Sequence, residues 1–201
     1  MKIGSARLSL EARNLLAKLE DLGILRLNST PRFPNVIDLG AGWPEIMELV
    51  SAHLCYVSRL VDGRTTYLSI PIYEACAALV PDRPPIQQLE AALFDLLDQG
   101  PMAVDEIAFL SHAGPAKVKK TLSRLQERFL VTVFGPGRNL NPNWDTYVWC
   151  TRRTWESHCP IKVRSLKIET ARRRLEACLA PYLSSARLSR LIHKLAAGSI
   201  D

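Results

Sequence analysis

Residues 86–150 constrain this chain more than any other stretch, because three helical patterns are followed directly by a strand-rich ribbon with glycines at its tip. The first pattern covers 86–99, where Leu89, Ala92, Leu93, Leu96 and Leu97 recur at helical spacing until Gly100-Pro101 breaks the run. The second covers 104–110 and closes on the turn His112-Ala113-Gly114. The third opens at Pro115, a residue favoured in the first turn of a helix, and runs to Phe129. Its apolar positions Val118, Leu122, Leu125 and Phe129 are spaced four, three and four apart, as a single buried stripe requires. β-Branched and aromatic residues then predict strands over 130–134 and 146–151, joined by the loop GPGRNLNPNWD.

Three helices and a ribbon in that order predict a winged helix-turn-helix, whose third helix can enter a major groove. Charge is distributed to match. Residues 1–85 are neutral, 86–113 carry −5, 114–150 carry +4 and 151–201 carry +7, within a net charge of +6. Positive charge therefore starts at the third helix and continues into the tail, which makes double-stranded DNA the expected partner.

The fold class expected is α+β, in three parts. Residues 1–82 read as a small helix, strand, hairpin and helix unit, compatible with a degenerate winged helix. Residues 86–155 are the winged helix, and 160–201 form basic helices. In the first part, Ser9 caps a helix to Leu22 that Gly23 ends, and 24–28 alternates like an edge strand. Pro31, Pro34 and Pro44 forbid one continuous element before a short helix over 44–50. Asp62-Gly63 predicts a type I′ hairpin turn, Pro71 opens a helix, and Pro81, Pro84 and Pro85 mark the domain boundary. Two tail helices, 165–180 and 184–197, are split by Pro181.

Lys117, Lys120, Arg124 and Arg128 share the helical period on one face of the third helix, with Lys119 beside them. Such a row neutralises phosphates, and its first residues can reach guanine edges. Arg138 in the ribbon tip is placed to insert into a minor groove, and Asn139, Asn141 and Asn143 to bond phosphate or base edges. In the tail, Arg172-Arg173-Arg174 can track a backbone. Trp144, Tyr147, Trp149 and Trp155 offer either base stacking or core packing, and packing is the commoner use of such a stripe.

Other chemistries find little support. The five cysteines lack regular spacing and are expected as reduced thiols in a cytoplasmic protein. His53-x-Cys55 and His158-Cys159 are too far apart in sequence to predict a zinc site. No phosphate-binding or dinucleotide fingerprint is present, so no cofactor is expected. No apolar run approaches membrane length, and the first residues lack a signal-peptide core.

Three segments together resemble the AlkZ/YcaQ-type winged-helix DNA glycosylase superfamily, especially its shorter AlkZ-related members. They are LSLEARNLLAKLEDLGILRLNST over 8–30, VDGRTTYLSIPIYEACAALVPDRPP over 61–85, and the predicted winged helix through WDTYVWCTRRTW. The resemblance implies DNA binding and, in the enzymes, cleavage of the N-glycosidic bond of a damaged nucleotide. Those enzymes carry glutamine–aliphatic–glutamine or glutamine–aliphatic–aspartate on the strand after the first helix. The matching positions here are Arg26-Leu27-Asn28. Asn28 can orient a water but is a poor base, and Arg26 would repel positive charge developing on the sugar. An enzymatic reading therefore needs Asn28 to hold a water while Glu48 or Asp38, or Glu45, acts as the base. A non-catalytic DNA-binding relative is the expected function. A glycosylase, or a winged helix that docks a protein partner, are the alternatives.

Overall fold

The computed structural model describes residues 8–28, 32–81, 87–141 and 144–197, with the side chains of Asn141 and Trp144 left aside. The chain is α+β, with short antiparallel sheets among α-helices.

Helix α1 (Leu10–Leu22) begins where the Ser9 hydroxyl accepts the Ala12 N–H at 3.1 Å. It ends at Gly23, whose φ of 78° is left-handed and whose N–H reaches Leu19 O at 2.8 Å. A Cβ there would lie 2.7 Å from Cys178 Sγ and 2.9 Å from Ile72 Cγ1, so glycine serves both the cap and a close approach. Next come β1 (Ile24–Arg26), α2 (Trp43–Ser51), β2 (Tyr56–Ser58), β3 (Thr66–Leu68) and α3 (Ile70–Leu79). The three strands form a sheet in the order β1-β3-β2.

Asp62 and Gly63 both have positive φ, 54° and 62°, as the predicted turn requires, and Arg64 N–H bonds Val61 O across it. The hairpin is nevertheless shorter than the sequence suggests. Its ladder stops at Ser58 and Thr66, where the Ser58 hydroxyl accepts the Leu60 N–H and the Thr66 hydroxyl donates to Arg64 O. These local side-chain bonds replace the next rungs and hold 59–65 off the sheet.

The second unit runs α4 (Gln88–Gln99), β4 (Met102–Ala103), α5 (Val104–Leu110), α6 (Pro115–Glu127), β5 (Val131–Asn141) and β6 (Trp144–Thr151). Its sheet order, β4-β6-β5, repeats that of the first unit: a short strand after the first helix pairs with the second hairpin strand. The first unit has one helix between those strands where the second has two. The loop expected between 134 and 146 is instead a paired ribbon, with Gly135 opposite Val148, Pro136 opposite Tyr147 and Asn139 opposite Asp145. Register shifts after Val133, Pro136 and Asn139 let an edge strand accommodate proline and glycine. The Thr146 hydroxyl also accepts the Arg138 N–H at 2.7 Å, and Asn139 Nδ2 donates to Asp145 at 2.9 Å.

A helix that sequence reasoning missed, α7 (Arg152–His158), follows β6 and is capped by the Thr151 hydroxyl accepting the Thr154 N–H. Helices α8 (Ile168–Leu179) and α9 (Ser185–Ala197) pack on α3. The expected boundary at Pro81–Pro85 falls largely on residues outside those described. On either side of it the two units share their interior. One apolar cluster joins Leu15, Leu25 and Ile46 to Leu93, Leu122 and Val133, and another joins Tyr56 and Tyr73 to Phe129, Trp155, Leu175 and Ile192. Gln126 Nε2 and the Thr132 hydroxyl both donate to Val57 O, at 3.0 and 2.7 Å, pinning the second unit to β2 of the first.

Candidate nucleic-acid interface

Helix α6 buries Val118, Leu122 and Leu125 completely, as their spacing predicts, and this turns Lys117, Lys119 and Lys120 to solvent. Among the described residues none of these lysines has a carboxylate partner. The expected row of cations stops there. Arg124 is half-buried, 3.4 Å from Glu90, and donates to Gln87 Oε1 at 2.8 Å. Arg128 is buried, and its Nη1 lies 3.1 Å from Glu90 Oε2. Arg128 therefore does not face a polyanion, contrary to the expectation from its helical position. Glu90 stands three and seven residues before Leu93 and Leu97, on the inward stripe of α4, with a side chain only 5% exposed. Helical period places Arg128 on the lysine face; the carboxylate of a neighbouring helix draws it in.

Along the ribbon, Arg138 and Asn139 are exposed and Asn141 lies within β5, whereas Asn143 is outside the described residues. The aromatic residues whose side chains are described belong to the interior. Trp155 is fully buried and Trp149 nearly so, while Tyr147 is half-buried with its ring 5.7 Å from that of Trp43. Trp43 in turn donates its Nε1–H to Asp145 at 3.0 Å. Of the tail residues, Arg172 and Arg173 are exposed on α8, while Arg174 lies 3.3 Å from the buried Glu74. Glu74 also accepts the Arg164 N–H at 2.8 Å.

The candidate catalytic side chains hold local structure. Arg26, buried on β1, lies 2.8 Å from Asp62 and stacks over the Phe33 ring. Asp62 also meets Arg187 at 2.6 Å. Partial burial opposes ionisation of Asp62, but hydrogen bonds from Arg26 and Arg187 outweigh it and hold the carboxyl below its ordinary value. Asn28 is exposed beyond the end of β1. Asp38 accepts from Asn35 Nδ2 at 2.6 Å and donates its N–H to Asn35 Oδ1. Glu48 accepts the Ser9 N–H at 2.8 Å at the start of α1, and Glu45 accepts the Gly42 N–H in the capping box of α2.

His53 and His158, far apart in sequence, are brought together, with ring centroids 5.7 Å apart. Cys55 is fully buried, and its thiol is pushed up by that burial. Among the described residues no group of three or more His, Cys, Asp or Glu is arranged to hold a metal. Burial first, and the charge of His158 second, push His53 down to about 4. His53 therefore stays neutral in the folded chain while the unfolded chain takes up a proton near pH 6.5. Its contribution to stability is lost as pH falls from about 6.5 to about 4, and levels off below that. Because the His53 backbone has φ 54°, asparagine is the replacement that keeps the left-handed conformation without titrating. Urea unfolding of His53→Asn should lose on the order of 1–2 kcal/mol less than the parent between pH 7 and pH 4. Parallel curves for the two proteins would show that His53 is not the group responsible.

No helix among the described residues is long and apolar enough to cross a membrane. No protein-family model matches the chain, and neither a curated protein nor a solved structure matches it.

Proposed function

We propose that the chain binds duplex DNA without acting on it chemically, the second unit working as a winged helix with α6 as its groove helix and β5–β6 as its wing. The observation that carries this reading is the run of exposed lysines, Lys117, Lys119 and Lys120, on the first two turns of a helix whose other face is buried. It is supported by the order α4-β4-α5-α6-β5-β6, by the β4-β6-β5 sheet, and by exposed Arg138 on the hairpin. Exposed Arg172 and Arg173 add charge on α8. The resemblance to AlkZ/YcaQ-type enzymes is taken to extend to scaffold and DNA binding only. Asp38 and Glu48 are engaged in turn and helix-start hydrogen bonds, and arginine and asparagine stand at the motif positions.

With Arg124 and Arg128 engaged by Glu90, four contacts remain on helix and wing. The logarithm of the affinity for a labelled duplex should then fall against log salt with a slope of about −4. Lys117→Glu with Lys120→Glu should weaken binding by about tenfold or more at low salt while leaving the melting temperature unchanged. Salt-independent binding, or equal affinity in the variant, defeats the proposal. A second reading, a winged helix that docks a protein, is favoured by Phe109 and Leu110, 78% and 44% exposed at the end of α5. A folded chain that leaves the duplex unbound at low salt would favour it.

A further inference from the structure

We infer that a cavity of about 440 Å³ between the loop 59–65, the end of α6 and α9 is a binding site for an organic phosphate of mononucleotide size. The inference does not rest on the groove reading of α6, since it does not use Lys117, Lys119 or Lys120.

Charge comes first. Asp62 and Glu127 are the carboxylates lining the cavity, against Arg59, Arg187, Arg190 and Lys194; a fifth cation, Arg128, is already held by Glu90. Asp62 is shared between Arg26 and Arg187, at 2.8 and 2.6 Å. Neither Arg190 nor Lys194 has a carboxylate partner among the described residues. Arg187, Arg190 and Lys194 are spaced three and four apart, so α9 presents them on one face toward the same space. Arg59, which also lines the cavity, is ion-paired through its Nε with Glu127 at 3.6 Å.

Shape and polarity narrow the ligand. Leu183, Leu191 and Leu195 give the cavity an apolar floor beneath the cationic rim. Inorganic phosphate would leave that floor wet, and a neutral ring system would leave the rim without its counter-charge. A dianionic phosphate joined to a planar apolar body satisfies both. Guanidinium forks suit phosphate oxygens, and the volume lies within the range of about 300–1,000 Å³ usual for small-molecule sites. Such a phosphate can be a free nucleoside monophosphate or the 5′-phosphate end of a nucleic acid strand.

Calorimetric titration of the full chain at fixed ionic strength tests the site with AMP, adenosine, inorganic phosphate, and a short oligonucleotide with and without a 5′-phosphate. AMP should bind about tenfold more tightly than adenosine or inorganic phosphate, and Arg190→Glu with Lys194→Glu should abolish the preference. Lys194→Gln alone, at an exposed position, should weaken AMP about threefold with an unchanged melting temperature. Lys117→Glu with Lys120→Glu should leave AMP binding as it was. A preference for the phosphorylated oligonucleotide alone, lost in the α9 variants, assigns the phosphate to a strand end and keeps the site. Equal binding of phosphorylated and unphosphorylated probes, or AMP affinity unchanged in the folded α9 double variant, overturns the inference. Duplex binding measured alongside separates its failure from failure of the DNA-binding proposal.

Discussion

Replacing Glu90 with alanine should lower stability by about 3–5 kcal/mol, a large share of the roughly 5–15 kcal/mol that holds a domain folded. The cause is desolvation. Glu90 and Arg128 have side chains 5% and 8% exposed and lie 3.1 Å apart, so the carboxylate stabilises a guanidinium held largely out of water. Glu90→Ala keeps the buried cation and removes that counter-charge. Arg128→Met should cost less, because Glu90 retains Arg124 at 3.4 Å, itself 37% exposed. Replacing both, Glu90→Leu with Arg128→Met, should recover most of the loss, since an apolar pair of similar volume avoids desolvating two charges. Urea midpoints in that order support the pair as described. A Glu90→Ala loss below about 1 kcal/mol would show that the charges are solvated and that Arg128 is open to a polyanion after all.

Trp155→Ala should be comparably severe, at about 3–5 kcal/mol. The indole is fully buried at the junction of three segments, edge-on to Tyr56 at 5.0 Å and 89° and to Tyr73 at 4.9 Å and 65°. Tyr56 continues the stack onto Phe129 at 5.5 Å, with ring planes 3° apart. One side chain on α7 thus packs on β2 and α3 of the first unit, in the cluster that also holds Phe129 just beyond α6. Truncation removes the aromatic contacts and leaves a cavity whose walls belong to different elements, so they cannot easily close over it. Trp155→Phe should cost much less. It keeps a ring in place and removes an indole N–H that is buried without a hydrogen bond. Near-ultraviolet circular dichroism should lose its aromatic signal in the alanine variant before helix content falls. Independent melting of two units with Trp155 intact would contradict the shared interior.

Much of the local structure is legible in the residues themselves. Ser9 and Gly23 bound α1, Pro115 opens α6, and the spacing of Val118, Leu122 and Leu125 sets the face α6 buries, because caps and helical period act within one or two turns. The positive φ of Asp62 and Gly63 is legible in the same way. The exposed lysines at 117, 119 and 120 follow from that period as the complement of the apolar stripe. Tertiary structure decided the rest. Arg128 lies on the lysine face by period, and it is Glu90, thirty-eight residues away, that withdraws it. The ribbon runs on to Asn141 because Thr146 and Asp145 bond residues that look like loop when read alone. The cationic cavity depends on α9 meeting Arg59 and Glu127, residues from elements far upstream in the chain. Period and capping depend on neighbours along the chain, whereas the state of a charge depends on what faces it across a low-dielectric gap, and that partner is known only once the elements have packed.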